Sequence, residues 1–338
     1  MLASLLIAFA ATPFALQEDC ALTDSQRGWL QGTLDAWATV TADLGRDPDD
    51  LPWTVVFDDR CVWHLGGDAR LLGDTDHITA GLSIRGEAIA VLATEHGGAV
   101  RLPDGRQLEP APLGFASLHD ERPFFVIALP EVWRATPGME DVGDVDAFVR
   151  GIAAHEMTHT LHLSAIAAAV DALGDRWALP EELDDDVVQA RFGDDSAFVA
   201  ALDAERALYR AALAEPDATR KRGLVTEALG RTRARQARFF SGADEVLAEL
   251  EETFLGMEGV AVLAHRRLHE RAPTRVSFVR TSSRVPWSQE YGYTLARLVD
   301  QLVEGWPDRV FCPRPAGPFT LLEEALGLRQ RPVDRDGG

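Results

Sequence analysis

His155-Glu156-Met157-Thr158-His159 is the stretch on which the reading of this chain turns. On a helix, positions i and i+4 stack on one face, about 6 Å apart. Two imidazoles so placed can converge on one zinc ion at about 2.0–2.1 Å. Glu156 sits one residue round the helix from His155. It reaches a water beside the ion without ligating the ion, and can take that water's proton. The neighbours suit a buried helix. Phe148, Val149 and Ile152 precede the motif at helical spacing, Ala153 and Ala154 are small, and Met157, Thr158, Thr160 and Leu161 carry no charge. No Gly or Pro interrupts Ile152 to Leu173, so the pattern predicts one helix over about 145–172. The bland alternative is a chance match on an amphipathic helix, and the uncharged context argues against it.

His162 shares the face of His155 and His159 but lies about 10 Å along the axis from His155. A place beside the ligands or in the core suits it better than one on the ion. A catalytic zinc needs a third protein ligand and an open fourth position. Glu258, in Phe254-Leu255-Gly256-Met257-Glu258-Gly259-Val260-Ala261, is the leading candidate. Glu251 competes with it, because i and i+7 share a helix face. Glu252 and Glu249 are weaker competitors, and all four also read as an acidic solvated face. His265 and His269 follow on the Glu258 side, about 10 and 16 Å further along the axis, too far to share that ion.

Glu258-Gly259-Val260-Ala261 resembles the E-G-x-A segment that gives the glutamate ligand in gluzincin metallopeptidases. With H-E-x-x-H, it makes the chain similar to that family over about residues 120 to 305. The subclass H-E-x-x-H-x-x-G-x-x-H is excluded, since His162 holds its glycine position and Ala165 its last histidine. The resemblance implies a zincin-like α+β fold with a sheet, an active-site helix and a second helix bearing the glutamate. It implies zinc held by His155, His159 and Glu258, Glu156 as general base, and a peptide or protein substrate. Gly259 is expected to let the two ligand helices approach closely. Gluzincin-like proteins also supply a tyrosine or histidine donor from a later helix to the oxyanion. Tyr291 and Tyr293, in Gln289-Glu290-Tyr291-Gly292-Tyr293-Thr294-Leu295, are the candidates for that catalytic role, with a core or helix-start role as the alternative. The chain departs from the family in spacing. Between His159 and Glu258 lie 98 residues, which read as added helices forming a lid or side wall.

Outward from the motifs, the chain changes character near residue 145. Before it, apolar positions at helical spacing (Trp29, Leu30, Leu34, Trp37, Val40, Leu44) predict a helix over 23–44, capped by Thr23 or Asp24 and ended by Gly45. Short β-branched and aromatic runs follow at 53–65 and 78–94. A Pro-Asp-Gly turn predicts a hairpin over 101–108. The run Phe124 to Leu129, bounded by prolines, reads as a strand buried on both faces. After 145, helices are expected near 145–172, 196–215, 218–240, 243–270 and 289–304. The acidic runs at 184–186 and 194–195 could bind a cation, but helix starts and loops explain them better. The division is therefore a signal peptide (1–15), a β-rich part with an N-terminal helix (16–144), a helical zinc-binding part (145–312) and a C-terminal tail (313–338). The active-site cleft is expected between the β-rich and helical parts.

Composition narrows the function further. Hydrophobic residues at 46% and charged residues at 26% give an ordinary globular core. A net charge of −21 repels phosphate backbones, which excludes nucleic acid as a partner. Met1 to Ala15 is apolar, ends in small residues and precedes Gln17, Glu18 and Asp19. This is the outline of a secretory signal peptide, although its start lacks Lys and Arg. It is short for a membrane span, and a retained N-terminal anchor is the competing reading. Of Cys20, Cys61 and Cys312, two can pair in an exported protein and one is left over. The expectation is thus an exported zinc metallopeptidase, secreted or periplasmic, without stable membrane insertion after processing. The alternative is a zincin-like protein without activity that serves as a binding or scaffold module.

Overall fold

The computed structural model describes residues 20–46, 51–66, 77–78, 81–179, 183–271 and 286–330. The expected signal segment Met1–Ala15 and the end of the expected tail, 331–338, lie outside them. The strands are β1 (Trp53–Phe57), β2 (Cys61–Leu65), β3 (His77–Ile78), β4 (Ser83–Ile84), β5 (Glu87–Ala88), β6 (Val91–Glu95), β7 (Val100–Arg101), β8 (Gln107–Leu108), β9 (Gly114–His119) and β10 (Arg122–Ala128). The first helices are α1 (Asp24–Asp43), α2 (Pro130–Arg134), α3 (Val145–Thr160), α4 (Leu163–Gly174) and α5 (Val187–Phe192). They are followed by α6 (Ser196–Ala214), α7 (Ala218–Phe239), α8 (Leu247–Arg271), α9 (Trp287–Leu302), α10 (Trp306–Val310) and α11 (Pro318–Ala325). The chain is α+β. Its strands precede residue 129 and, α1 aside, its helices follow.

One six-stranded sheet has the order β3-β6-β2-β1-β10-β9. Every neighbouring pair is antiparallel except β1 and β10, which run parallel with Val55 opposite Val126. The expected buried strand is β10, where Phe124 through Ala128 are all buried, and β1 beside it is buried along its whole length. Continuous rather than alternating apolar sequence is what a centre strand covered on both faces requires. The expected hairpin forms as β7 and β8 around Gly105, whose φ of 83° suits a residue without a side chain.

Two hydrophobic cores divide the molecule. The first packs the sheet against α1, α2 and one stripe of α3, with Val149, Ala153 and Met157 facing it. The second is built by α5 to α11, with Val40 and Leu44 from the end of α1. Thr23 and Gln26 close a capping box at the start of α1. Trp29 Nε1 donates to the Asp146 carbonyl at 3.0 Å and ties α1 to the start of α3. A disulfide joins Cys20 to Cys61, and Cys312 is a free thiol. No helix among the described residues is long and apolar enough to cross a membrane.

The single helix expected over 145–172 is two helices. After Thr160 the chain tightens, with Leu161 N donating to Thr158 O and His162 N to His159 O, both at 3.1 Å. These i to i+3 bonds end the α-helical ladder. His162 leaves helical geometry at φ −134°, is buried, and stacks on Phe311 with ring centroids 5.6 Å apart. Neither Gly nor Pro marks the break. The break falls where His162 packs on Phe311, a contact far away in sequence.

Candidate metal centre

Helix α3 is read from its two faces. Val149, Ala153 and Met157 take the stripe against the sheet. Gly151, His155 and His159 then fall on the opposite side, at 100° per residue. That side meets α8, which runs antiparallel to α3. Going up α3, Gly151 lies against His265 and His269, His155 against His265 and Glu258, and His159 against Glu258. The start of α3 is capped by Asp144, whose Oδ1 accepts from Ala147 N at 3.0 Å.

His155, His159 and Glu258 converge at the seam between the two cores. His159 Nε2 lies 3.0 Å from Glu258 Oε1, His155 Nε2 lies 3.3 Å from Glu258 Oε2, and the two Nε2 atoms are 3.0 Å apart. All three residues are buried. Ligands held at about 2.0–2.1 Å around a tetrahedral zinc stand roughly 3.3 Å from one another, so the donor atoms are already at coordination spacing. Glu258 Oε2 is buried with His155 Nε2 at 3.3 Å and no well-directed hydrogen bond, a costly arrangement for a carboxylate unless a cation meets it. Three buried donors of this kind can hold a metal ion, and they form the one such group among the described residues.

The electrostatics agree. Burial alone would push the Glu258 carboxyl up, but His159 and His155 hold it well below the usual carboxylate range. Burial likewise presses His159 down, and the carboxylates of Glu258, Glu156 and Asp185 pull it up to about 9. The site calls for positive charge, and in the metal-free chain a proton on His159 supplies it. His162 completes the shell. Burial and the neighbouring His159 lower its pKa to about 3, so it is neutral, and its Nε2 lies 3.4 Å from His159 Nδ1. A His159 that ligates through Nε2 carries its ring proton on Nδ1 and can donate it to His162, which fixes the ring.

Glu156 points elsewhere, as its position one residue on from His155 requires. It is half-buried and turned toward β9, where a Cβ at Gly114 would lie 3.7 Å from its Cγ. The competitors of Glu258 are engaged away from the centre. Glu251 accepts from Arg235 at 2.8 Å and from Gln236 at 2.9 Å. Glu252 accepts from Thr320 N at 2.7 Å, and exposed Glu249 pairs with Arg176 at 2.8 Å.

The two tyrosines are not brought to the centre. Tyr291 is buried and donates to Glu205 Oε1 at 3.0 Å, within a network in which Arg235 bridges Glu205 and Glu251. The Tyr293 hydroxyl accepts from Arg297 at 2.9 Å, its ring near the Arg266 and Arg297 guanidinium groups. Each hydroxyl thus has a polar partner of its own outside the three ligands. The role expected for Gly259 is also corrected. It opens the contact of α8 with α9, not with α3: a Cβ there would lie 2.3 Å from Gly292 O. Asp185 belongs to the acidic run 184–186 that reads as a helix start or loop, and the structure sets it near Glu258. It is half-buried, accepts from Ser288 Oγ at 3.2 Å, and its pKa is raised to about 6 by burial and then by the charge of Glu258. Its only signal in the sequence was an acidic run of ordinary appearance.

The ligands are buried, and a cavity of about 240 Å³ borders the centre through His162, lined also by Thr253, Met257 and Thr320. No family model, no curated protein and no solved structure matches the chain. The site's chemistry therefore rests on its own geometry.

Proposed function

We propose that this protein is a zincin-like metallohydrolase of the gluzincin type, a zinc-dependent peptidase exported from the cytoplasm. The observation that carries this reading is the convergence of His155, His159 and Glu258 on one point, with Glu156 turned aside toward β9. Two imidazoles and one carboxylate at tetrahedral spacing favour zinc among divalent ions. A zinc ion held there would supply Lewis acidity, lowering the pKa of a water and polarising a carbonyl. Glu156 takes the proton from the attacking water and passes it to the departing amine. His162 keeps the His159 ring oriented.

A peptide substrate is supported by the sheet. β9 is the last strand in its order and borders α3 through Gly114. An extended chain can add to such an edge by backbone hydrogen bonds, which brings its carbonyls alongside Glu156. Export is supported by the apolar Met1–Ala15 segment and by the Cys20–Cys61 disulfide, which suits an oxidising compartment. N-terminal sequencing of the mature chain is expected to start beyond Ala15, and an intact Met1 on a cytosolic species would contradict it.

The decisive substitution is Glu156→Gln, which keeps size and hydrogen bonding but removes the basic carboxylate. It is expected to retain about one zinc per chain and to lose turnover of a peptide substrate by at least about a hundredfold. Parental turnover in that variant would remove Glu156 from the mechanism. A second reading, a zincin-like binding or scaffold protein without turnover, is favoured by the two tyrosine hydroxyls being bound elsewhere. On that reading both proteins bind zinc alike and neither cleaves peptide.

A further inference from the structure

Helices α4 and α8 and the chain from the end of α10 to the start of α11 enclose the cavity of about 240 Å³. Its walls are mostly apolar. Ile166 and Ala169 come from α4, Met257 from α8, and Val310, Pro315 and Ala316 from the third side. Glu249 and Glu252 also line it, and none of its lining residues is Lys or Arg. Its volume is below the roughly 300–1,000 Å³ of a drug-sized site, so it suits a small occupant. Glu249 is exposed and paired with Arg176 at 2.8 Å. Glu252 is enclosed. Thr320 N, at the start of α11, donates to its Oε1 at 2.7 Å. Its Oε2 lies 3.9 Å from Arg233, beyond hydrogen-bond reach, and Arg233 makes its closer pair with Glu323 at 2.7 Å. Capping α11 therefore uses one oxygen of Glu252 and leaves the other without a strong partner. Burial raises the Glu252 carboxyl, against the pull of Thr320 and Arg233. A carboxylate in such surroundings costs free energy unless a cation meets it. Gly317 keeps the place open, because a Cβ there would fall on the Glu252 side chain.

We infer that this cavity is a binding site for a small organic cation, a guanidinium group on a short alkyl stem. Glu252 holds the guanidinium, whose planar fork of N–H donors matches a carboxylate. The stem lies against Ile166, Ala169 and Met257, which removes its apolar surface from water. A net charge of −21 draws cations to the protein. The site stands beside the metal centre, since His162 lines the cavity and its Nε2 is 3.4 Å from His159 Nδ1. Such a group arrives either as an arginine side chain of a peptide substrate or as a free small guanidine. The first source rests on the peptidase reading, and the binding itself does not.

The experiment titrates the full chain with butylguanidine by isothermal calorimetry. A guanidinium stays protonated and does not ligate a metal ion, so this probe leaves the metal centre aside. Wild type is expected to bind one equivalent with a Kd of about 1 mM or tighter. Neutral 1-pentanol, of similar length, is expected to bind at least about tenfold more weakly. Glu252→Gln keeps an oxygen for Thr320 N but loses the charge, and is expected to weaken butylguanidine binding at least about tenfold. Ala169→Phe fills the cavity and is expected to abolish binding. No saturable binding by wild type would overturn the assignment, as would pentanol binding as tightly as butylguanidine. So would parental affinity in either variant. If Glu252→Gln does not fold by circular dichroism, Ala169→Phe decides. The two sources separate in a turnover assay with an arginine-containing peptide. Competition by butylguanidine in wild type, absent in Glu252→Gln, assigns the pocket to the substrate side chain. Binding without competition assigns it to a free guanidine. Absence of any turnover would count against the peptidase reading and leave the calorimetric result standing.

Discussion

Replacing Glu258 by glutamine probes the centre through protons as well as through metal. In chelator-treated protein the three ligand atoms are held together by the proton on His159. Burial lowers the pKa of that ring, but the carboxylate of Glu258 at 3.0 Å, with those of Glu156 and Asp185, outweighs burial and brings it from 6.5 to about 9. A histidine whose folded pKa exceeds its unfolded value stabilises the fold fully below pH 6.5. That stabilisation is lost as pH rises through about 9, because the folded chain keeps a proton that the unfolded chain has released. At 1.36 kcal/mol per pKa unit the rise is worth about 3 kcal/mol. It is counted once, since the depression of Glu258 is the same interaction seen from the other partner. At roughly 2–4 °C per kcal/mol for large domains, the effect spans roughly 6–12 °C of melting temperature. The assay is a set of thermal melts between pH 6.5 and 9.5, with chelator, for wild type and Glu258→Gln. The variant is expected to be less stable by most of that margin at pH 6.5, Glu258 being the largest of the raising charges, and to converge with wild type near pH 9.5. Their difference cancels the general effect of a strongly acidic chain. Parallel curves across the window would mean that Glu258 and His159 do not hold each other, and the centre would have to be abandoned.

Two further substitutions test the frame around the centre. Gly259→Ala would put a Cβ 2.3 Å from Gly292 O, a backbone atom that cannot rotate away. It is expected to lower stability by about 1–3 kcal/mol by denaturant midpoint, as overpacking does, and an unchanged midpoint would refute the contact of α8 with α9. Glu251→Ala leaves Arg235 short of one of its two carboxylates in a fully buried network and is expected to cost about 3–5 kcal/mol. The folded fraction should keep its metal, and a loss of zinc from well-folded Glu251→Ala would move the ligand role to Glu251.

Much of this was legible in the residues. Helix α1, the β7–β8 hairpin, the buried strand β10 and helices α6, α7, α8 and α9 follow from periodicity, caps and turn residues, because those signals are local. The break after Thr160 and the parallel pairing of β1 with β10 were not legible. One depends on His162 meeting Phe311, and the other joins segments 53–57 and 122–128 across a long stretch of chain. The tyrosines misled for a similar reason. Tyr291 answers to the buried Glu205–Arg235–Glu251 network, and nothing in Gln289 to Leu295 announces a carboxylate 86 residues upstream.

The choice between Glu251 and Glu258 is the sharpest case. Seven residues apart on one helix, they share a face, and spacing alone ranks them equally. Along the axis they are about 10.5 Å apart. α3 crosses α8 over a limited length, and within it stand Glu258, His265 and His269 against His159, His155 and Gly151. Two turns earlier the same face of α8 has left α3 and meets Arg235 of α7 instead. Several contacts fix that phase: Gly259 against Gly292, Glu251 to Arg235, and the two histidines on Gly151. The 98 residues between the motifs therefore do not loosen the site, since α6 and α7 supply the buried network that anchors the start of α8. Which carboxylate meets the histidines is decided by where two helices cross. A single helix's sequence does not carry that information.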